Sequence, residues 1–234
     1  MKRGYFITGT DTGVGKTLIA SALVHHFAQN GQRAVGLKPV ATGCAWHDGQ
    51  LLSDDVAELQ AASNVTLPLQ IINPYAFEPP LAPHIAAALV GQRIEIKTLL
   101  NAYEQAATAT DVVVVEGVGG FRVPLNNHED TADLAARLAL PVILVIGVRL
   151  GCLSHALLTA ESIASRGLKL ASWVANVIDP QMAALQEYVQ SLKQRIAAPC
   201  LGVVPWNERA DFVQIEALLR QQGAGILQSN DKIL

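Results

Sequence analysis

The sequence predicts an α/β fold in which helices flank a single doubly wound, mostly parallel sheet. Three observations support this prediction. Short apolar runs alternate with longer segments of helical periodicity, which is typical of βαβ units. Half of the 234 residues are hydrophobic but only 5% are aromatic, which suits aliphatic strands that are buried on both faces. A glycine-rich segment lies between the first apolar run and the first helical segment.

The apolar runs predict six strands, and the helical segments predict seven helices. The predicted strands are 5–8, 34–37, 112–115, 142–146, 170–175 and 201–204. The predicted helices are 16–30, 55–62, 94–108, 131–138, 154–166, 182–195 and 212–222. We expect right-handed connections between the parallel strands. At roughly 150 residues per domain, we expect residues 1–234 to form one domain.

The segment 44–83 is less regular and contains several prolines. It is not of low complexity, and its aromatic residues Tyr75 and Phe77 are expected to be buried. Long excursions of compact domains are often functional. We therefore expect this segment to belong to the same domain and to lie near the site.

Charge and composition exclude several classes of protein. The 17 basic and 20 acidic side chains give a net charge of −3, without the basic excess that a nucleic acid or an anionic membrane requires. The longest apolar stretch, 138–148, is shorter than the ~20 residues that cross a bilayer. The three cysteines form no CxxC pair, which favours a reducing compartment. We expect a cytoplasmic protein with no nucleic-acid partner and no membrane partner.

The most specific motif is the segment 9–17, GTDTGVGKT, which follows a predicted strand and opens a predicted helix. Gly13 and Gly15 lack Cβ atoms, so the backbone can direct N–H groups at an anion, and the helix adds its positive end. Lys16 offers a charge to the β- and γ-phosphates, and the Thr17 hydroxyl is a ligand for Mg²⁺. The segment therefore predicts a phosphate loop and a fold like that of P-loop NTPases.

The match to the standard phosphate-loop pattern is imperfect. Thr10 stands where the pattern has glycine, and Gly9 comes one position early. The alternative is an ordinary glycine-rich turn between a strand and a helix. The lysine–threonine pair in the expected context favours the phosphate loop.

Charged residues follow two other predicted strands. Lys38 comes directly after the strand 34–37. Glu116 comes directly after the strand 112–115 and before the segment 117–120, which contains three glycines. Ligands of open α/β sheets bind at such carboxyl ends, where a carboxylate can hold Mg²⁺. The alternatives are a solvated lysine and a solvated acid before a glycine turn. Asp54 and Asp55 stand where a helix begins, and capping of that helix is the ordinary explanation for aspartates at such a position.

A second site for an anion is predicted at 150–155, LGCLSH, which follows a strand and opens a helix. Its N–H groups can bind a carboxylate, although a glycine turn with Ser154 as N-cap fits the same spacing. The histidines and cysteines have no metal-binding spacing. Neither a GxSxG elbow nor a GxGxxG fingerprint after the first strand is present, which disfavours serine hydrolysis and hydride transfer.

Eight segments in the same order resemble the dethiobiotin synthetases. They are GTDTGVGKT at 9–17, KPVATG at 38–43, NPYAF at 73–77, APH at 82–84, EGVGG at 116–120, LGC at 150–152, WVAN at 173–176 and VPW at 204–206. The resemblance covers most of the chain up to Trp206 and does not extend to 207–234.

The resemblance implies an ATP- and Mg²⁺-dependent ligase of biotin biosynthesis. It implies that 7,8-diaminononanoate and CO₂ form a carbamate, that ATP converts the carbamate into a carbamic-phosphoric mixed anhydride, and that the second amine closes the cyclic urea of dethiobiotin. ADP and phosphate are released. Carbamate and γ-phosphate repel each other by about 4 kcal/mol at 4 Å and an effective dielectric of 20. Lys16, Lys38 and Mg²⁺ would offset this repulsion.

The same resemblance implies roles for residues within these segments and for residues directly next to them. Catalysis would use Thr12, Lys16 and Lys38. The residues that would face Mg²⁺ are Thr17, Asp55 and Glu116. The residues that would bind ATP are Gly13, Val14, Gly15, Lys16, Thr17, Leu18, Asp55, Glu116, Gly117, Val118, Gly119, Asn176, Val177, Pro205, Trp206 and Asn207. The residues that would bind the diamine or its carbamate are Thr12, Lys38, Thr42, Gly151, Cys152, Leu153 and Ser154.

Within this set, Asn176 would read the adenine edge, and the segment 151–154 would bind the substrate carboxylate from a neighbouring subunit. The resemblance therefore implies a homodimer with composite sites. Three positions depart from the family pattern. Thr42 stands where some members have serine, Val118 stands where alanine is common, and Ser154 stands where asparagine can occur.

A regulatory ATPase of the partition or septum-placement type is the main alternative, because it shares this fold. Such proteins carry an extra lysine early in the phosphate loop, where this chain has Asp11, and often a basic membrane-targeting helix, whereas the segment 211–216 begins an acidic helix. An amidating ligase of the cobyrinate type would bring a glutaminase domain, for which 234 residues leave no room.

Overall fold

The computed structural model describes residues 4–208 and 210–223, and its centre is a six-stranded parallel sheet. The strands of this part of the chain are β1 (Gly4–Gly9), β2 (Ala34–Leu37), β3 (Val40–Thr42), β4 (Ala45–His47), β5 (Gln50–Leu52), β6 (Tyr75–Phe77), β7 (Val112–Glu116), β8 (Val142–Val148), β9 (Leu170–Val177) and β10 (Cys200–Val204). The helices are α1 (Lys16–Gln29), α2 (Asp54–Ala62), α3 (Leu69–Ile72), α4 (Pro83–Leu89), α5 (Ile96–Ala109), α6 (Thr131–Leu138), α7 (Cys152–Ser165), α8 (Leu185–Arg195) and α9 (Phe212–Gln222).

Both faces of the sheet are buried, because successive side chains of a strand point to opposite sides. Phe6 of β1 lies in a hydrophobic cluster with α5 and α6, whereas its neighbour Ile7 lies in a cluster with α1 and α9. Leu144 and Trp173, from β8 and β9, pack with α7 and α8. Helices therefore cover both faces, and the predicted doubly wound α/β fold is confirmed.

The order of the strands in the sheet brings distant parts of the sequence together. The order is β10-β9-β8-β1-β7-β2, so β7 lies between β1 and β2. Leu37 pairs with Val115 in the parallel register of β2 and β7, and Ile7 pairs with Glu116. The residue after Leu37 is Lys38. The register therefore places Lys38 and Glu116 side by side at the carboxyl edge of the sheet.

All six predicted strands and seven predicted helices are present, most of them with ends shifted by one or two residues. The largest shift is that of α8, which begins at Leu185 rather than 182, while α7 begins at Cys152 rather than 154. The prediction of one domain over 1–234 includes ends that lie outside the described residues, and it stays a prediction. None of the described helices has the length and the apolar character needed to span a bilayer.

The irregular segment 44–83 contains short elements that the sequence analysis did not predict. β4 pairs with β5 in an antiparallel hairpin, while β6 pairs with β3 and α3 lies between Pro68 and Asn73. The expectation of burial holds fully for Phe77, which is 2% exposed, whereas Tyr75 is half-buried and stacks on it. Pro80 and Pro83, at the end of the segment, line the cavity described below.

The contact between β2 and α2 gives the first testable prediction. A Cβ atom added at Gly36 would lie 2.6 Å from Leu59 Cδ2 and 3.0 Å from Leu59 Cβ, so α2 would have to move away from the sheet. We expect Gly36→Ala to lower the free energy of unfolding by about 1–3 kcal/mol, as overpacking of a core does. Urea denaturation measures this. The control Ala57→Ser, on the exposed side of the same helix, should change it by less than about 0.5 kcal/mol; equal effects would contradict the prediction.

Candidate functional site

A cavity of about 880 Å³ lies at the carboxyl edge of the sheet, beside the loop that joins β1 to α1. Ligands of open α/β folds bind at this edge. The cavity brings together many of the residues that the sequence predicted for the site: Thr12, Gly13, Gly15, Lys16, Thr17, Leu18, Lys38, Thr42, Asp55, Glu116, Val118 and Gly119. These residues come from four separate regions of the chain, which only the fold makes neighbours.

The phosphate loop has the backbone that its glycines were expected to allow. Gly13 and Gly15 have φ values of 71° and 87°, and Gly15 is the N-cap of α1. A Cβ atom at Gly15 would lie 2.3 Å from Asn176 Nδ2, so this position needs glycine for space as well as for conformation. No side chain caps α1, which leaves its first N–H groups available to an anion.

The departure of this loop from the standard pattern has a structural reason. The Thr10 hydroxyl accepts a hydrogen bond from the backbone N–H of Gly147 on β8 at 3.3 Å. A Cβ atom at Gly9 would lie 2.6 Å from Val14 Cγ2. Glycine at 9 therefore allows the loop to close on itself, and threonine at 10 attaches the loop to the neighbouring strand.

Lys16 lies at the base of the cavity and is 6% exposed. Its Nζ donates a hydrogen bond to the backbone carbonyl of Asp11 at 2.9 Å. Burial lowers the pKa of Lys16 to about 8, and the positive charge of Lys38 adds to this effect. Lys16 is thus a buried ammonium group whose hydrogen bond goes to a neutral carbonyl, and a phosphate oxygen would be a better acceptor.

Lys38 is the centre of a buried network of charges. Its Nζ lies 2.5 Å from Glu116 Oε1 and 2.7 Å from Asp55 Oδ2, and it also donates to the carbonyl of Gly117 at 3.3 Å. Lys38 and Glu116 are 3% and 1% exposed. Burial disfavours the ammonium form of Lys38, but Glu116 and Asp55 outweigh that effect and raise its pKa. The solvated lysine and the solvated acid are therefore wrong as interpretations of these two residues.

Burial acts in the same direction on the two carboxylates of this network, but the net shifts of their pKa values are opposite. Burial tends to raise the pKa of Asp55, but Lys38 outweighs it and the pKa is lowered. Burial raises the pKa of Glu116, and Lys38 opposes this.

Ser53 is the N-cap of α2 and accepts a hydrogen bond from the backbone N–H of Val56, so Asp54 and Asp55 do not cap the helix as the simpler interpretation had it. Asp55 is instead free to face the cavity from the first turn.

Thr17, at the end of the phosphate loop, contacts both the Asp55 and the Glu116 carboxylates. Its Oγ1 lies 2.8 Å from Asp55 Oδ1 and 3.0 Å from Glu116 Oε1, and it can donate its proton to one of them at a time. Glu116 Oε2 is buried without a hydrogen-bond partner. One hydroxyl and two carboxylates are hard oxygen donors of the kind that Mg²⁺ prefers, and the unpaired oxygen fits a cation. No group of three or more His, Cys, Asp or Glu able to hold a metal occurs among the residues described.

The loop after β8 lies outside the lining of this cavity. Gly151 is the N-cap of α7 with a φ of 93°, and no side chain caps the helix, so the interpretation of Ser154 as N-cap is wrong. Ser154 is exposed, whereas Cys152 is buried. Arg149, just before this loop, forms an ion pair with Asp11 of the phosphate loop at 2.8 Å. A site at 151–154 that serves the neighbouring subunit stays a prediction.

The residues predicted to bind the nucleotide base lie at the ends of β9 and β10. Asn176 is 7% exposed, and its Nδ2 donates to the carbonyl of Val14 at 2.9 Å. Asn176 therefore holds the phosphate loop in place, and its Oδ1 is the atom left to meet a base. The Val177 side chain is buried in the core, so its backbone alone can contact a ligand. Pro205, Trp206 and Asn207 are exposed after β10.

Eight residues that line the cavity were not among the predicted site residues: Asp11, Glu58, Pro80, Leu81, Ala82, Pro83, Gly120 and Val123. Glu58, on α2, lines the cavity one helical turn after Asp55, and the spacing of three residues is the signal that was available. Val123 follows the glycine loop, and nothing in its sequence context indicates that it lines the cavity.

Comparisons with known proteins agree with the sequence analysis. A model of the AAA domain family matches residues 3–214. The ATP-dependent dethiobiotin synthetase BioD of Aromatoleum aromaticum is 53% identical over 221 residues, which are 94% of this chain and 98% of that protein. The ATP-dependent dethiobiotin synthetase BioD of Nitrosospira multiformis is 48% identical over 222 residues, which are 94% of this chain and 95% of that protein.

A solved structure is similar in fold. In the MinC:MinD cell division protein complex of Aquifex aeolicus, the matching chain aligns with a TM-score of 0.54 and 14% sequence identity, covering 96% of this chain and 93% of that chain. At this identity the likeness shows the fold, which is that of P-loop NTPases, and no more.

The depressed pKa of Lys16 gives a prediction for protein free of nucleotide and metal. Burial penalises the ammonium group, so Lys16→Met is expected to raise the free energy of unfolding near pH 7 by at most about 3 kcal/mol. Between about pH 8 and pH 10.5 the folded state has lost the proton that the unfolded state keeps, so the wild type gains stability with pH and the advantage of the variant shrinks.

Urea titrations near pH 7 and near pH 10 measure this difference. Lys97→Met, at an exposed position of α5, is the matched control and should show no such dependence on pH. An equal gain for Lys16→Met at both pH values would show that the gain comes from packing and not from charge.

Proposed function

We propose, from the membership of this chain in the dethiobiotin synthetase family, that it makes dethiobiotin from 7,8-diaminononanoate, CO₂ and ATP through a carbamate and a mixed anhydride. As a member of that family it is an ATP-dependent ligase of biotin biosynthesis. The observation that carries the finer proposal is the buried lysine Lys38, held between two carboxylates at the cavity that also contains the phosphate loop.

The chemistry consists of three balanced steps. One amine of the substrate adds to CO₂ and loses a proton, which gives a carbamate. A carbamate oxygen attacks the γ-phosphorus, and the bond to ADP breaks to leave a carbamic-phosphoric anhydride. The second amine attacks the carbonyl carbon, loses its proton and expels phosphate, which closes the cyclic urea. The second step brings the anionic carbamate against the anionic γ-phosphate, so the site must supply positive charge.

Lys16 and Lys38, which both line the cavity, would supply that charge. Lys16 follows the phosphate loop and would hold the β- and γ-phosphates together with the N–H groups of residues 13–18. Lys38 would face the carbamate, with the hydroxyls of Thr12 and Thr42 beside it on the cavity wall. Because both lysines are buried, their charges are screened little by water and act strongly on bound anions.

Thr17, Asp55 and Glu116 would hold Mg²⁺. When bound, this ion neutralises charge on phosphate oxygens. Asp55 and Glu116 hold Lys38 by ion pairs, so their engagement with a metal would weaken those pairs. Lys38 would then be available to an anionic oxygen of the substrate, and this exchange supports a catalytic role for it.

The proposal has a direct test. We expect the purified protein to incorporate labelled CO₂ into dethiobiotin only when ATP, Mg²⁺ and the diamine are all present. ATP hydrolysis stimulated by DNA or by lipid, without a labelled product, would favour the regulatory ATPase instead. No contact in the structure favours that second function, since the likeness to the MinC:MinD complex is one of fold.

Substitution of Lys38 tests its catalytic role. We expect Lys38→Met, which keeps the buried stem, to lose on the order of 10–100-fold in the rate of labelled product formation. This corresponds to one charge-assisted hydrogen bond of about 1.5–3 kcal/mol. Lys97→Met is the control at an exposed position. Unchanged kinetics of Lys38→Met would refute the role.

We propose further that the protein is a homodimer in which residues 151–154 of one subunit bind the substrate carboxylate in the site of the other. Two features support this. The first N–H groups of α7 have no side-chain cap, and Leu150 and Leu158 beside them are 80% and 61% exposed. A helix N-terminus attracts a carboxylate, and exposed leucines favour burial against another subunit.

Mixed subunits test the composite site. Ser154→Asp places a negative charge where the substrate carboxylate would bind, so this variant is expected to lose most of its activity, and Lys38→Met is expected to keep only the residual rate given above. If the sites are composite, subunits exchanged between the two variants form one intact site and activity returns. A mixture that is no more active than the separate variants, although mass measurement shows mixed dimers, would overturn the proposal.

A further inference from the structure

Glu58 is a carboxylate in the wall of the cavity for which the family resemblance assigns no role. It lies on α2, three residues after Asp55, so both side chains project from the same side of the helix. Its Oε1 is buried and has no hydrogen-bond partner. A buried carboxylate oxygen without a donor costs free energy, which indicates that a donor is present in another state of the protein.

The cations of the cavity do not pair with Glu58. Lys38 is engaged by Asp55 and Glu116, and Lys16 donates to the carbonyl of Asp11. No ion pair of Glu58 occurs in the described part of the chain. Burial raises the pKa of Glu58, and the charges of Glu116 and Asp55 raise it further, while the Ser21 hydroxyl opposes them.

Ser21, on the neighbouring helix α1, is the polar residue beside Glu58. It lies four residues after Thr17, its Oγ is buried, and its single hydroxyl proton can serve only one of the two oxygens of the Glu58 carboxylate. Ser21 and Glu58 thus lie one helical turn behind Thr17 and Asp55 respectively.

We propose that Glu58 accepts a hydrogen bond from a water molecule on the Mg²⁺ ion and so positions the ion without touching it. This inference rests on the proposed function, which assigns the ion to Thr17, Asp55 and Glu116. Mg²⁺ usually keeps several waters in protein sites, and those waters are strong donors.

The metal affinity of variants tests this positioning role. We expect Glu58→Gln and Glu58→Ala to bind Mn²⁺ about 10–100-fold more weakly than the wild type in the presence of ADP, the range typical of residues that act through a metal's ligands. The electron paramagnetic resonance signal of free Mn²⁺ measures this. ADP affinity without metal should stay the same or increase, since a negative charge is removed from the cavity.

Two further variants make the outcomes distinct. Glu187→Gln, at an exposed position of α8, is the control and should bind Mn²⁺ as the wild type does. Asp55→Asn should lose most of the Mn²⁺ affinity. If Asp55→Asn loses it and both Glu58 variants keep it, the inference about Glu58 is wrong and the proposed metal site stands.

The remaining outcomes also decide between the explanations. If Asp55→Asn binds Mn²⁺ as tightly as the wild type, the proposed metal site itself is wrong, and the inference about Glu58 fails with it. If the Glu58 variants lose affinity for Mn²⁺ and for metal-free ADP to the same extent, Glu58 has a structural role only, and the inference is overturned.

Discussion

The ion pairs of Lys38 with Glu116 and Asp55 are the interaction on which the site depends. Burying these charges is unfavourable unless each has a partner, and removal of one partner from such a group typically costs about 3–5 kcal/mol. The partners come from β2, β7 and α2, so the network forms only when these three elements are correctly packed. The buried charges of the cavity therefore also constrain the fold around it.

The charges of the cavity are consistent with the proposal that anionic reactants bind there together with a cation. Two lysines and four carboxyl groups, those of Asp11, Asp55, Glu58 and Glu116, line the cavity, so the acidic groups outnumber the basic ones. Phosphate and carbamate would be repelled by such walls unless a further cation entered with them. The unpaired oxygens of Glu58 and Glu116 mark where the present cations do not reach. A bound divalent cation would reduce the repulsion between the acidic groups of the cavity and an anionic ligand.

The fold was predictable from local patterns, whereas the site was predictable only in part. Strands and helices follow from apolar runs and periodicity, and even the ends of β2 and α9 were placed correctly. The sequence put Lys38 and Glu116 at strand ends, but their contact depends on β7 lying between β1 and β2, which no local pattern specifies. The elements β3 to β6 were missed because three-residue strands carry too little periodicity to detect.

Asp11 makes three contacts that hold the phosphate loop. Its carboxylate accepts from the N–H of Thr12 at 2.8 Å and pairs with Arg149, while its carbonyl accepts from Lys16. These contacts attach the phosphate loop to the segment that follows β8. A lysine at this position, as in the partition and septum-placement ATPases, would face Arg149 with a like charge and lose both carboxylate contacts. Contacts of Asp11 with Arg149 and Lys16 therefore attach the phosphate loop of this chain to the carboxyl edge of its sheet. The charges beside the loop, and not the fold alone, determine which ligands the site can bind.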